Sequence, residues 1–214
     1  MSSEIIIEII KEVQKAYEAN ASEIEKLDQA IGDGDHVINM RRGMKAILEI
    51  EKELGPLKPG DALNKIGMTL LASIGGAAGP LFASMFMGMA KVLGPDDMDD
   101  SKTVAKMISS GVESVKQRGK ADIGDKTMLD VLIPVSNLFS ELVEAENLSK
   151  NEMLGQLMTE AERGMLSTKD IVATKGRASY LGDRAKGHID PGAKSCQLII
   201  FTICNYLINR GEDK

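Results

Sequence analysis

Tryptophan is absent from the 214 residues, and aromatic residues make up only 3% of them. Sandwiches and barrels of β-strands draw heavily on aromatic and β-branched residues, so this shortage argues against an all-β fold. The chain has 13 methionines, which suit helices better. No run of four to eight residues alternates apolar and polar side chains convincingly. The composition therefore predicts an all-helical protein.

The sequence also lacks an excess of positive charge and a long apolar run. Its formal net charge of -6 offers no electrostatic footprint for nucleic acid or for an anionic membrane. The N-terminal MSSEIIIEII carries acidic residues where a signal peptide has basic ones, and the apolar stretch LIIFTIC is too short to span a bilayer. We therefore expect a cytoplasmic protein with neither nucleic acid nor membrane as a partner.

Cysteine is scarce as well. Cys196 and Cys204 lie eight residues apart within one predicted helix, too far along its axis to form a disulfide. Their spacing matches no zinc or redox motif. We predict that both are reduced core residues.

Apolar residues recur at helical spacing in eight segments, namely 5–17, 37–54, 61–74, 80–94, 101–118, 127–145, 150–172 and 193–210. Ser149 and Glu152 form a capping-box pattern, and Ser101 is a predicted N-cap. Pro80 suits a first helical turn, and Pro134 predicts a kink rather than a break. The length suits one core, so we predict a single domain over residues 1–214, a bundle of about eight helices.

Three connections are long and rich in glycine: GGAAGP at 75–80, RGKADIGDKTM at 118–128 and TKGRASYLGDRAKGHIDPG at 174–192. Links in a helical bundle need only a few residues, and each of these loops meets a helix start. We therefore predict that they form a functional site.

Aspartates flank a glycine in the segment IGDGDH. In a turn through Gly34 the carboxylates of Asp33 and Asp35 can converge, and Asp28 is near enough to join them. Three hard oxygen ligands favour magnesium over zinc, while the spacing does not match an EF-hand. The alternative is a solvated acidic turn that caps the next helix.

Other features point to phosphate. The N–H groups at the helix start after Asp35 and in the GGAAGP turn would attract it, and magnesium would bridge it to the carboxylates. Lys175 and Arg177 could neutralise its charge. Each feature alone has an ordinary structural explanation, either close packing or a surface side chain. Their coincidence favours a nucleotide.

Four ordered motifs also resemble a known family. They are LDxxIGDGDHxxNMxRG (27–43), GMTLLxSxGGAxGPLF (67–82), RGKAxxGDKTMxD (118–130) and KGRASYLGxRxxGHxDPGA (175–193). Together they look like the L subunit of dihydroxyacetone kinase, the nucleotide-binding part of that enzyme. The resemblance implies a closed barrel of eight helices with the nucleotide site in the loops at one end, in agreement with the helical pattern.

The resemblance implies a role for residues in each motif. Aspartates matching Asp28, Asp33 and Asp35 would hold two Mg²⁺ ions against the phosphates of ADP or ATP. The residues implied to surround the nucleotide are His36, Val37, Ile38, Asn39, Ala77, Ala78, Gly119, Met128, Arg177, Asp190, Pro191 and Gly192.

Two positions depart from the family pattern. Val37 stands where the family usually has glycine, which adds a side chain to the pocket. Ala78 replaces a usual serine, which deletes a hydroxyl that could bind phosphate. A hydrogen bond to a charged group is worth about 1.5 to 3 kcal/mol, so we expect a weaker hold on the nucleotide.

The resemblance further implies a phosphotransferase of several subunits. A K subunit would hold dihydroxyacetone, and a phosphohistidine protein of the phosphotransferase system, the M subunit, would supply the phosphoryl group. Self-association as a homodimer is left open. The alternatives are an ATP-exchanging kinase subunit for another small hydroxyketone or sugar, a nucleotide-loaded regulator without catalysis, and a relay through a phosphorylated His188.

Overall fold

The computed structural model describes residues 3–93 and 100–212, and it contains no strand within these ranges. Its helices are α1 (Ser3–Ile31), α2 (His36–Glu49), α3 (Glu51–Leu54), α4 (Pro59–Ser73), α5 (Ala78–Ala90), α6 (Ser101–Gly119), α7 (Leu129–Ala145), α8 (Lys150–Ser167) and α9 (Pro191–Glu212), with a 3-10 segment at Arg177–Ala185. None of these helices combines the length and the apolar character that a membrane span requires. The all-helical prediction is confirmed.

Packing divides the chain into two compact units. The first comprises residues 1–11 and 38–120, and the second comprises residues 12–37 and 121–214. The boundaries therefore fall inside α1, inside α2 and directly after α6. The single domain over residues 1–214 stays a prediction.

In the first unit, α5 packs against both α4 and α6. Contact with α6 depends on Gly88, because a Cβ atom there would lie only 2.3 Å from the Ser114 Oγ. Ser110 on α6 donates its hydroxyl to the Gly88 carbonyl at 2.8 Å. These contacts anchor α5, which begins at Ala78, inside the glycine-rich connection predicted at 75–80, and has Pro80 in its first turn as expected.

In the second unit, α8 packs against both α7 and α9. Gly164 on α8 allows the contact with α7, since a Cβ atom there would lie 2.4 Å from the Asp130 carbonyl oxygen. The predicted capping box of Ser149 and Glu152 is present at the start of α8. Helix α7 continues through Pro134, so the expected absence of a break is confirmed.

Both cysteines are free and buried in α9, as predicted. Burial raises the pKa of the Cys204 thiol to about 11, and it raises the pKa of the Cys196 thiol as well. Both thiols are therefore protonated at neutral pH and unreactive.

Several helix ends differ from the predictions. Helix α1 extends to Ile31 because buried side chains such as Ile24 continue the apolar stripe beyond residue 17. The segment predicted as one helix over 37–54 is interrupted at Ile50, whose φ of -98° and ψ of 12° are not helical. The N-cap of α6 is Asp100, not Ser101, because the Asp100 carboxylate accepts hydrogen bonds from two backbone N–H groups. The helix predicted over 80–94 ends earlier, at Ala90, and Gly94, the residue expected to stop it, lies outside the described residues.

Candidate metal and nucleotide site

Three carboxylates converge where α1 ends and α2 begins. Asp28 lies in the last turn of α1, and Asp33 and Asp35 lie in the turn at 32–35. One carboxylate oxygen from each residue lies within 4.8 Å of the others. Asp28 is buried, whereas the other two are exposed. The convergence expected from the sequence is therefore present, and metal binding by these groups stays a prediction.

Two glycines make this convergence possible. Gly34 has a φ of +75°, a left-handed conformation that side chains rarely adopt. Gly32 passes so close to Asp28 that a Cβ atom would lie 1.9 Å from the Asp28 Oδ1. Any side chain at position 32 would therefore displace the Asp28 carboxylate.

Asp28 also holds the start of α2. Its Oδ2 accepts a hydrogen bond from the backbone N–H of His36 at 2.9 Å. Helix capping thus explains the position of Asp28, but it does not explain why Asp33 and Asp35 lie beside it. Three clustered carboxylates repel one another, and a bound cation would offset that repulsion.

Arg177 brings a positive charge to this cluster. Its Nε lies 2.9 Å from the Asp33 Oδ2, and its side chain is 70% exposed. An exposed ion pair contributes at most about 1 kcal/mol, so the guanidinium can exchange to another anion at little cost. This position suits contact with a phosphate bound beside the carboxylates.

The His36 imidazole points its Nε2 at the Ser195 Oγ, 2.8 Å away on α9. Burial lowers the pKa of His36, while the carboxylates of Asp28 and Asp35 act in the opposite direction. The ring is therefore neutral at physiological pH. A neutral imidazole offers one N–H donor and one acceptor nitrogen.

The predicted corner at Asp190, Pro191 and Gly192 forms the start of α9. The Asp190 Oδ2 accepts a hydrogen bond from the Ala193 N–H at 2.7 Å. Met128 adjoins this corner, since a Cβ atom on Gly192 would lie 3.6 Å from the Met128 Cβ. Burial raises the pKa of Asp190 to about 7. The structure thus brings together four of the predicted nucleotide-binding residues.

A buried lysine that the sequence analysis did not single out supports this corner. The Lys126 Nζ donates to the carbonyl oxygens of Thr168 at 2.5 Å and His188 at 2.6 Å, with Lys169 farther away at 3.4 Å. The residue is 1% exposed. These contacts hold the chain directly after α8 and directly before the corner, and they explain why α8 ends at Ser167 rather than at residue 172.

Opposing effects act on the Lys126 ammonium group, and the net shift of its pKa is downward. Burial lowers the pKa of its ammonium group, whereas the carboxylates of Asp190, Asp170 and Asp130 oppose this shift. In the sequence, Lys126 stands next to an aspartate in a charged loop, a pattern typical of exposed lysines. No local signal distinguishes it, because its burial depends on segments 40 and more residues away.

Asp130 organises the loop that carries Lys126 and Met128. Its Oδ1 accepts from the Gly124 N–H at 2.6 Å, and its Oδ2 accepts from the Thr127 N–H at 2.7 Å. The carboxylate is itself buried. These two hydrogen bonds close the loop and fix the direction in which α7 begins.

The remaining predicted residues lie on α2 and in the first unit. Val37 is buried and belongs to the core. Ile38 is exposed, whereas Asn39 is buried. A Cβ atom on Gly75 would lie 3.5 Å from the Asn39 Oδ1, so this amide adjoins the glycine-rich turn.

The glycine-rich turn leads directly into α5. Gly76 has a φ of +66°, and α5 begins at Ala78 with Ala77 as its N-cap. Alanine has no side-chain acceptor, so no side chain of the cap satisfies the first N–H groups. Gly119 is close by, because a Cβ atom there would lie 3.2 Å from the Leu81 Cδ2 in the first turn of α5.

Comparison with known proteins agrees with these motifs. Residues 30–205 match the family model described as the DAK2 domain. The chain is 41% identical over 180 residues to the ADP-binding subunit DhaL of PEP-dependent dihydroxyacetone kinase 1 from Listeria innocua, covering 84% of each chain. It is also 41% identical over 174 residues to the corresponding DhaL subunit of Escherichia coli, covering 81% of this chain and 82% of that relative.

A solved structure shares the fold. The crystal structure of the dihydroxyacetone kinase from C. freundii in complex with AMP-PNP and Mg²⁺ matches with a TM-score of 0.73 and 21% identity. The match covers 96% of this chain and 34% of that chain. The resemblance drawn from the four motifs is confirmed, and the chain belongs to the DAK2 domain family.

Proposed function

We propose that this chain is the nucleotide-binding subunit of a dihydroxyacetone kinase, a phosphotransferase whose work is shared among separate subunits. The observation that carries the proposal is the convergence of Asp28, Asp33 and Asp35 within 4.8 Å at the start of α2. The relatives named as ADP-binding subunits of this kinase support it, because the chain resembles them over most of its length.

The carboxylate cluster fits magnesium. Each Mg–O bond is about 2.1 Å, so two oxygens on one ion lie at most about 4.2 Å apart. The oxygens here lie within 4.8 Å of one another, slightly above that limit, so a small side-chain adjustment or a second ion would accommodate them. We propose that Asp28, Asp33 and Asp35 hold two Mg²⁺ ions, as the family resemblance implies. When bound, magnesium neutralises phosphate charge and aligns the phosphoryl group for transfer.

The predicted nucleotide-binding residues have separate roles in this proposal. Arg177 binds a phosphate oxygen in place of its present partner, and the neutral His36 donates to another. Met128 and the corner at 190–192 contact the rest of the nucleotide. From the family resemblance we also propose nucleotide contacts at Val37, Ile38, Asn39, Ala77, Ala78 and Gly119, with the uncapped N–H groups of α5 as phosphate donors.

The chain's own residues therefore bind and orient phosphate, and we assign none of them as a base for an acceptor hydroxyl. We propose that the phosphoryl group comes from a phosphohistidine M subunit and goes to dihydroxyacetone on a K subunit. A homodimer and a cytoplasmic location stay predictions from the sequence.

Ala78 favours one alternative. At the first position of α5 it lacks the hydroxyl that the family usually places there, so a weaker hold on ADP would allow exchange with free ATP. The chain would then serve an ATP-dependent kinase, acting on dihydroxyacetone or on another small hydroxyketone or sugar.

We expect that the purified chain alone does not phosphorylate dihydroxyacetone, because we assign its residues to binding phosphate and metal and none to binding the acceptor. With a K subunit and a phosphorylated M subunit, turnover should proceed with only catalytic amounts of ADP. Formation of dihydroxyacetone phosphate, measured with each component omitted in turn, checks this.

Equal turnover with free ATP and with the M subunit would favour the ATP-exchanging alternative. No product with either donor and a competent K subunit would favour a regulator without catalysis. A phosphorylated His188 after incubation with the donor would support the relay alternative.

We expect ADP with Mg²⁺ to stabilise the wild-type protein by about 2.7 kcal/mol at a hundredfold excess over its dissociation constant. The Ala78→Ser variant should bind ADP about tenfold more tightly or better, since one hydrogen bond to a charged group is worth about 1.5 kcal/mol or more. The shift in melting temperature that ADP causes, rather than the melting temperature itself, measures this effect.

Ala72→Ser is the matched control, because it adds a hydroxyl to an exposed alanine in the last turn of α4. It should leave the ADP-induced shift unchanged. An unchanged or smaller shift in Ala78→Ser would show that position 78 makes no phosphate contact.

A further inference from the structure

Two buried hydroxyl groups form a short chain of contacts that ends at the His36 ring. The Ser195 Oγ is 2.8 Å from the His36 Nε2 and 3.2 Å from the Tyr17 hydroxyl oxygen. Tyr17 and Ser195 are both 0% exposed. A tyrosine from α1 and a serine from α9 therefore meet the one imidazole that adjoins the carboxylate cluster.

These contacts determine the orientation of His36. Its backbone N–H is held by the Asp28 carboxylate, and its Nε2 is held by Ser195. An imidazole has only two ring nitrogens, so Nδ1 is the one left for a ligand. The ring cannot turn over without giving up a hydrogen bond to a buried hydroxyl, which costs free energy.

The hydroxyl pair also bears on which nitrogen carries the hydrogen. If the Tyr17 hydroxyl donates to the Ser195 Oγ, the serine hydrogen is free to bond to Nε2, and the ring hydrogen then lies on Nδ1. The Asp28 carboxylate, which already accepts from the His36 backbone N–H, is an acceptor, and a nearby phosphate would be another. An Nδ1–H is attracted by such groups, whereas a bare nitrogen lone pair is repelled.

We propose that Tyr17 and Ser195 are positioning residues that keep His36 in the Nδ1–H tautomer and direct this N–H to a nucleotide phosphate. The ligand part of this inference rests on the proposed function, whereas the orientation and the tautomer do not. The arrangement provides a fixed donor beside the carboxylates. It also connects the start of α2 to the first turns of α9, which carry the corner at 190–192.

The test begins with nucleotide-free, ¹⁵N-labelled protein at about pH 8, where an unperturbed histidine is neutral. The chain has only two histidines, so His188→Gln assigns the spectrum. Long-range ¹H–¹⁵N correlations should show His36 with its hydrogen on Nδ1. In Ser195→Ala the hydrogen should move to Nε2, the form that free histidine prefers. Tyr17→Phe, which keeps the ring, should shift the population in the same direction.

Ser136→Ala is the matched control, because it removes the hydroxyl of another buried serine, on α7. It should leave the His36 spectrum unchanged. An Nε2–H tautomer in the wild-type protein would overturn the proposal, and so would an unchanged tautomer in both Ser195→Ala and Tyr17→Phe.

Calorimetry with ADP and Mg²⁺ tests the ligand part. Ser195→Ala should weaken binding about tenfold, the equivalent of about 1.4 kcal/mol. Equal affinity in the two proteins, despite the change of tautomer, would overturn the role of His36 as a phosphate donor. If the wild-type protein binds no ADP while His36 is Nδ1–H, the proposed function fails and the orientation of His36 by the hydroxyl pair is upheld.

Discussion

Asp35→Asn is expected to abolish Mg²⁺-dependent binding of ADP while leaving helix content intact, and Asp33→Asn should do the same. Each substitution removes one charge from the carboxylate cluster, so the affinity for a divalent cation should fall by about a hundredfold or more. Both residues are exposed, so the change in unfolding free energy should stay within about 0.5 kcal/mol. Calorimetry with ADP in the presence of Mg²⁺, combined with circular dichroism, measures both effects.

Two controls accompany this experiment. Asp100→Asn alters an exposed aspartate that caps α6, where asparagine caps as well, so ADP binding should be unchanged. Removal of Mg²⁺ by a chelator should make the wild-type protein behave like the two variants. Wild-type affinity for ADP in both Asp35→Asn and Asp33→Asn would show that the turn is a solvated acidic cap and not a metal site.

Lys126→Met is expected to lower the free energy of unfolding by about 3 kcal/mol. Methionine retains much of the apolar stem but leaves the carbonyl oxygens of Thr168 and His188 without their donor. A buried acceptor without a partner costs about 1 to 3 kcal/mol. In a protein of this size the melting temperature should fall by about 6 to 12 °C. Thermal and urea unfolding, recorded without nucleotide, measure the loss.

Lys120→Met is a matched control for this prediction. Lys120 also has a positive φ, 48° against 61° for Lys126, but its side chain is exposed at the end of α6. The same substitution there should change the free energy of unfolding by less than about 0.5 kcal/mol. Similar losses in the two variants would mean that the backbone conformation, and not the buried ammonium, accounts for the effect.

The helices were largely predictable because their signals are local. Apolar spacing located eight helical segments, and the structure has a helix in each of them. The capping box at Ser149 was recognisable because both of its residues lie within one turn. The ends that differ, such as the end of α8, depend on contacts with distant residues, since Lys126 binds the carbonyl directly after Ser167.

The candidate site was predictable where it is built from neighbours in the chain. Asp33 and Asp35 flank Gly34, and Asp28 is one short segment away, so their convergence follows from a turn. The pairing of Arg177 with Asp33 did not follow from spacing, because the two residues lie in different loops. Likewise, an interior serine such as Ser195 looks like any other small helical residue until α9 is placed beside His36.

The sequence by itself determined the all-helical class, the turn that gathers the aspartates and the family to which the chain belongs. Helical periodicity, helix caps and glycine turns each depend on a few adjacent residues. The family motifs can likewise be recognised from the order of residues along the chain. Only the tertiary structure decided that Lys126 is buried and that Tyr17 and Ser195 face His36. Burial and hydrogen bonds between distant segments arise when helices pack, so they depend on the whole fold rather than on any local pattern.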